Sequence, residues 1–184
     1  MNNSIDPEQL KKAMRTWVTG IAIVTGNHNG QTHGLTANSF NAIALSPPTI
    51  LIALQNQSQT KEIVQCGSVF GISILESRQI SIAQRFAGQI DADRPRFEGI
   101  ETFTMSTGSP MIKNACAYLD CKVVRTFNVG NTTVFLGEVI EAKVNGNNHE
   151  PLLYLNRKWR NLADVEKIRK SRRSTSFEYR SCSA

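Results

Sequence analysis

The chain reads as a mainly β domain, an antiparallel barrel, closed or nearly closed, with helices at its periphery. Two observations carry this expectation. Short apolar runs bounded by turn residues recur from Ile21 to Leu155, with few helical patterns between them, which argues against a doubly wound parallel sheet. Two of the β-rich runs, Ala115 to Phe127 and Thr132 to Val144, are long and are joined only by the turn Asn128-Val129-Gly130-Asn131. At 184 residues the chain is long enough for one domain with a substantial core.

Taken in order, Asp6 caps a first helix, Pro7 suits its first position and Glu8 suits the positive end of its dipole. Leu10, Ala13, Met14 and Trp17 recur at helical spacing, and the helix should stop before Gly20. Ile21 to Thr25 is a strand, and Asn27-His28-Asn29-Gly30 returns the chain as a hairpin through Gln31 to Ala37. Pro47-Pro48 marks the start of a buried strand, Thr49 to Leu54. Ser58 caps a helix through Ile63 and Val64 that Gly67 closes. Val69 to Leu75 is the next strand. Ser77 caps a helix carrying Ile80, Ile82, Ala83 and Phe86, with Gly88 past its end. Gln89 to Gly99 is polar and turn-rich, an ordered loop or lid. After the long hairpin, which Gly146-Asn147-Asn148 ends, Pro151 to Leu155 is a last short strand, and a helix begins at Asp164.

Composition narrows the function classes. Hydrophobic residues make up 40% and charged residues 20%, values of an ordinary soluble domain. No apolar run approaches the about 20 residues of a membrane-spanning helix, and no basic-then-apolar leader opens the chain, so the expected compartment is the cytoplasm. Cys66, Cys116, Cys121 and Cys182 form no Cys-x-x-Cys pair, so no zinc site is expected and the thiols read as buried small residues, Cys182 excepted. The net charge of +6 owes much to Lys167 to Arg173, beyond the strand pattern. Such a tail is a solvated helix end or arm, with no nucleic-acid recognition motif beside it.

Three segments could carry chemistry. Ser58-x-Thr60-Lys61 sets two hydroxyls and a cation at a helix start, where unpaired N–H groups and the dipole favour a phosphate. Read alone, it is a plain serine cap with a solvated lysine, since serine caps are common. Thr36-Ala37-Asn38-Ser39 allows a flat ring to approach the backbone, or is a strand corner held by Asx and Ser turns. Arg85 and Phe86 close a helix as phosphate and ring contacts, or as a surface cation and a core aromatic. His28, His33 and His149 lie in or beside turns without partners at ligand spacing. Neither a side-chain nucleophile signature nor a Gly-x-Gly-x-x-Gly or Walker loop occurs. That scarcity fits chemistry carried by a cofactor.

Together these segments resemble the flavin reductase family of FMN-binding split barrels, the reductase components of two-component monooxygenases. The resemblance runs from about Met14 to Leu155. It is carried by Thr19 to Thr25, His33-Gly34-Leu35-Thr36-Ala37-Asn38-Ser39-Phe40, Leu45-Ser46-Pro47-Pro48, Ser58-Gln59-Thr60, Arg85-Phe86-Ala87-Gly88, Phe135-Leu136-Gly137-Glu138-Val139 and Pro151-Leu152-Leu153-Tyr154.

The resemblance implies an antiparallel split β-barrel over residues 1–163, with 164–184 as a basic C-terminal helix or tail, and a homodimer with flavin near the subunit interface. It implies that Thr36, Ala37, Asn38 and Ser39 contact FMN (or FAD), that Ser58 and Thr60 contact its phosphate beside Lys61, and that Leu54 and Gln55 lie along its ring or ribityl chain. Arg85 and Phe86 carry over less directly. The implied activity is an NADH- or NADPH-dependent flavin reductase supplying reduced flavin to a partner monooxygenase, with neither nucleic acid nor membrane as partner. Family members that use a nicotinamide donor often carry Gly-Asp-His where this chain has Gly130-Asn131-Thr132. That departure leaves two alternatives: a flavoenzyme with bound FMN acting on a specific organic substrate, or a non-catalytic flavin-binding protein.

Overall fold

In a computed structural model, described here for residues 5–146 and 149–162, the chain folds as a split barrel. Seven strands form one antiparallel sheet: β2 (Ala22–His28), β3 (Gln31–Ala37), β4 (Phe40–Leu45), β5 (Pro48–Gln55), β6 (Val69–Ile74), β9 (Ala117–Val129) and β10 (Thr132–Val144). Their order across the sheet is β3-β2-β6-β9-β10-β5-β4. The edge strands β3 and β4 are neighbours in the chain, joined only by Asn38-Ser39. Such a link spans about 11 Å at most, so the sheet must curl until its edges nearly meet. The link itself is held to β5, the neighbour of β4, by the Ala53 N–H, which donates to the Ser39 carbonyl (3.3 Å).

Period-2 alternation assigns the side chains of β2 to two cores. Ala22 and Val24 face the barrel interior with Ile50, Ile52, Phe70, Ile72 and Phe135. Ile21, before the strand, and Ile23 face the outer layer with Leu75, Met111, Ile112, Tyr118 and Leu152. A strand buried on both faces needs an unbroken apolar run, and Ile21 to Val24 supplies one. Gly137 on β10 admits the Phe70 ring: a Cβ there would overlap it.

The peripheral elements are α1 (Pro7–Met14), α2 (Gln59–Gly67) and a 3-10 turn, Ser77–Gln79, leading into α3 (Ile80–Phe86). Asp6 caps α1 by accepting the Glu8 N–H (3.0 Å). The helix is shorter than its apolar spacing predicts: it ends at Met14, and Leu10, Met14 and Trp17 are exposed. Before α3 the cap is Glu76 rather than Ser77, because Glu76 and Gln79 bond reciprocally across the first turn.

Four short strands besides β4 went unread in the sequence: β1 (Thr19–Gly20), β7 (Thr102–Thr104), β8 (Pro110–Ile112) and β12 (Lys158–Arg160). The strand read at Pro151 to Leu155 narrows to β11 (Leu153–Leu155). β1 pairs with β11, which pairs with β12, and β7 pairs with β8. β4 lies largely exposed. The loop between α3 and β7 is pinned by Arg96, whose guanidinium donates to the Arg85 (3.0 Å) and Phe86 carbonyls. Of the three described thiols, Cys121 is buried, Cys116 half-buried and Cys66 exposed, against the expectation that all three were interior. The helix read at Asp164, the basic tail and Cys182 lie outside the described residues.

Candidate functional site

The C-terminal end of β5 leads into α2, and the sequence-predicted phosphate residues sit at that junction. Ser58, extended at φ −81° and ψ 133°, caps α2: its Oγ accepts the Lys61 N–H (3.2 Å). Thr60 is fully buried, its Oγ1 2.7 Å from Nδ1 of His33 on β3. Burial, with the Arg96 cation nearby, holds the His33 imidazole below its ordinary pKa, so the ring is neutral at neutral pH. Lys61 extends into a polar cleft of about 260 Å³ with Asn56 and Thr133. The Thr133 hydroxyl there lies 2.7 Å from Asn56 Oδ1 and 2.8 Å from Asn128 Oδ1. Leu54 points into the barrel core and Gln55 is exposed.

The second corner is the β3–β4 link. Thr36 Oγ1 donates to the Ala83 carbonyl of α3 (2.6 Å), and Ala37 is buried in the barrel. Asn38 Nδ2 donates to Thr19 Oγ1 (3.3 Å), and Ser39 Oγ donates to the Ala53 carbonyl (3.2 Å). These residues open onto two hollows. The smaller, about 150 Å³, lies between Thr36, Asn38, Tyr154 and Trp159. The larger, about 570 Å³, runs from Asn38 and Ser39 to α1 and the β11–β12 turn. Asn38 and Tyr154 border both, so the hollows adjoin.

Arg85 and Phe86 take structural partners. Arg85 Nη2 donates to the Pro95 carbonyl (2.8 Å), while its buried Nε has no partner. Phe86 is buried and meets Phe97 edge-on at 5.1 Å.

The fold therefore brings Thr36, Asn38 and Ser39 to one groove and sets Ser58, Thr60 and Lys61 at a second corner, with β5 between them. Ala53 pairs with Ser39, and Gln55 lies two residues further along the same strand. Sequence reasoning missed Tyr154, Trp159, Arg15 and Arg157 as groove residues. Tyr154 stood in a quoted motif, but nothing in the spacing of the other three shows that β1, β11 and β12 fold back over the β3–β4 link. Among the described residues no group of three or more His, Cys, Asp or Glu side chains is placed to hold a metal ion, and no helix is long and apolar enough to cross a membrane.

Residues 14–163 match the model of the flavin reductase like domain. The chain belongs to the flavin reductase family. An NADH-dependent FAD reductase of Streptomyces globisporus is 33% identical to this flavin reductase family member over 148 residues, 75% of this chain and 78% of that one. The NADH-dependent flavin reductase StyB of Pseudomonas fluorescens is 31% identical over 152 residues, 82% and 86% of the two chains. Among solved structures, flavin reductase PheA2 superposes with a TM-score of 0.78 at 30% identity, over 86% of this chain and 99% of that one. The NADH:FAD oxidoreductase SgcE6 of Streptomyces globisporus, in complex with NAD and FAD fragments, gives 0.77 at 31% identity over 86% and 95%. These likenesses agree with the split-barrel fold read from the strand order.

The residues present fit a flavin. The groove pairs a few fixed polar groups with aromatic walls, Tyr154 and Trp159, the composition expected of a site for a planar ring. The first turn of α2 offers N–H groups.

Proposed function

We propose that the protein is an NAD(P)H-dependent flavin reductase that uses FMN or FAD and supplies reduced flavin to a partner monooxygenase. The observation that carries this reading is the groove in which Thr36 and Asn38 face Tyr154 and Trp159, in a chain of this family. A flavin bound there supplies two-electron redox chemistry that no side chain of the groove can perform.

The chain's own residues bind and orient. Thr36 is held by the Ala83 carbonyl, Ser39 by Ala53, and Asn38 by Thr19, so the polar lining is fixed before a ligand arrives. Thr36, Ala37, Asn38 and Ser39 take the ring side of the flavin, with Leu54 and Gln55 along its chain. Ser58, Thr60 and Lys61 take its phosphate at the first turn of α2. Because Thr60 Oγ1 is engaged with His33, its contribution is the backbone N–H and the placement of the turn.

The reading includes a homodimer. β4 is an edge strand whose Ile43 and Leu45 are 55% and 90% exposed, an apolar rim that a second copy would cover. Sedimentation velocity tests this, and a monomer at micromolar concentration overturns it.

The activity test is direct. Purified protein is mixed with FMN or FAD and with NADH or NADPH, and loss of nicotinamide absorbance is followed. Turnover above the protein-free rate is expected for at least one pairing, and its absence in all four overturns the proposal. Bound flavin that survives gel filtration yet is not reduced by either nicotinamide would favour a flavoenzyme with its own organic substrate, the reading that Asn131-Thr132 keeps open.

A further inference from the structure

A side chain from β3 reaches the first turn of α2. His33 Nδ1 lies 2.7 Å from Oγ1 of Thr60, the second residue of the helix. A threonine near a helix start can spend its hydroxyl on its own turn. Here the hydroxyl instead meets a residue 27 positions earlier in the chain. Thr60 is 0% exposed, so its Oγ1 is out of reach of any ligand and serves the shape of the turn alone. Threonine is branched at Cβ and has few χ1 wells, so fixing Oγ1 fixes the backbone that carries it.

The approach of strand and helix is built into the sheet. His33 pairs with Gly26 across β3 and β2, so the two residues present the same face. A Cβ on Gly26 would crowd Val64 and Ile63 of α2. The bare glycine lets the helix lie against β2, and the imidazole beside it spans the remaining gap to Thr60. Burial and the Arg96 guanidinium keep that imidazole neutral, so one ring nitrogen donates and the other accepts. A neutral ring shares a hydrogen bond with the hydroxyl without burying a charge under the turn.

We propose that His33 is a positioning residue for the flavin phosphate: by holding Thr60 it sets the first turn of α2, and with it the unpaired N–H groups and the Ser58 and Lys61 side chains that meet the phosphate. This rests on the assignment of the phosphate to that turn. The consequence is selective. The flavin ring is assigned to the Thr36 corner, with β5 between the two, so a loosened turn costs phosphate binding and spares the ring.

Riboflavin, which lacks the phosphate, isolates the effect. Flavin-free full-length protein is titrated with FMN and with riboflavin, and binding is read from the quenching of flavin fluorescence. The parent is expected to bind FMN at least about tenfold more tightly than riboflavin, the worth of one charge-assisted contact. His33→Leu removes the bond to Thr60 and should cut that advantage about three- to tenfold, with riboflavin affinity within about twofold of the parent. His33→Asn should restore most of the advantage, because its amide again offers Thr60 a partner. Thr60→Val deletes the same bond from the other side and keeps the backbone N–H. It should match His33→Leu, and the two together should lose little more than either alone. An unaltered ratio of FMN to riboflavin affinity in His33→Leu overturns the proposal. So does an equal loss of both ligands, which would make the histidine a support of the whole fold. Should His33→Leu not fold, Thr60→Val decides by the same two outcomes. A parent that binds FMN no more tightly than riboflavin removes the phosphate assignment, and this proposal with it. A parent with the preference and a histidine without effect on it sinks the proposal and leaves that assignment standing.

Discussion

His33 Nδ1 on β3 and Thr60 Oγ1 on α2 lie 2.7 Å apart, and that bond joins the strand leading to the Thr36 corner to the helix that starts the Ser58 corner. Because burial and Arg96 depress the His33 pKa, the folded protein binds fewer protons than the unfolded chain as pH falls below the ordinary value of 6.5. The sign follows: this contribution to stability is fully present above that value and is lost as pH falls toward the folded pKa. Melting temperature measured from pH about 8 to about 5 should fall more steeply for the parent than for His33→Asn. Equal slopes would show that His33 does not carry the effect.

Ser58→Ala removes the side-chain cap of α2 and should cost about 1 kcal/mol of stability. With Thr60→Ala added, flavin affinity should drop by more than the loss of folding stability accounts for. Urea denaturation and flavin fluorescence give the two quantities. A double variant that is destabilised yet binds flavin normally would remove the side chains of Ser58 and Thr60 from the phosphate assignment.

Gly137→Ala should destabilise the barrel by about 1–3 kcal/mol, because the added methyl meets the Phe70 ring inside a packed core. Phe70→Leu in the same chain should recover part of the loss, a coupling that a double-mutant cycle reads directly. Additive effects would mean that the ring does not set the requirement for glycine.

Thr132 pairs with Gln55 across β10 and β5, which sets it beside the strand end assigned to the flavin chain. Introducing Asn131→Asp with Thr132→His should therefore lower the KM for the nicotinamide donor several-fold. Steady-state kinetics at saturating flavin checks this. No change in KM would mean that the departure from the family pattern at this turn has no bearing on donor use.

Much of the barrel was legible because its signals are local. Asn29-Gly30, both at positive φ, fixes the β2–β3 hairpin, and the unbroken run Ile21 to Val24 announces a strand between two cores. What was hidden is non-local. β4 carries exposed apolar residues without alternation, so its period gives no strand signal. β1, β7, β8 and β12 span two or three residues each, too short to show a period, and β1 exists only by pairing with the distant β11. The same limit held at the site. Thr36, Asn38 and Ser58 stand in readable motifs, whereas Arg15 and Arg157 face one cleft through a turn whose register with α1 no spacing reveals.

The two-residue bridge between the edge strands β3 and β4 has a thermodynamic corollary. Asn38 and Ser39 are tied to Thr19 and to Ala53 of β5 and also line the groove, so freeing that link and vacating the groove become one event. Any molecule seated there should act as a clasp, slowing amide hydrogen exchange at Ala53 by a factor that grows with its concentration over its dissociation constant.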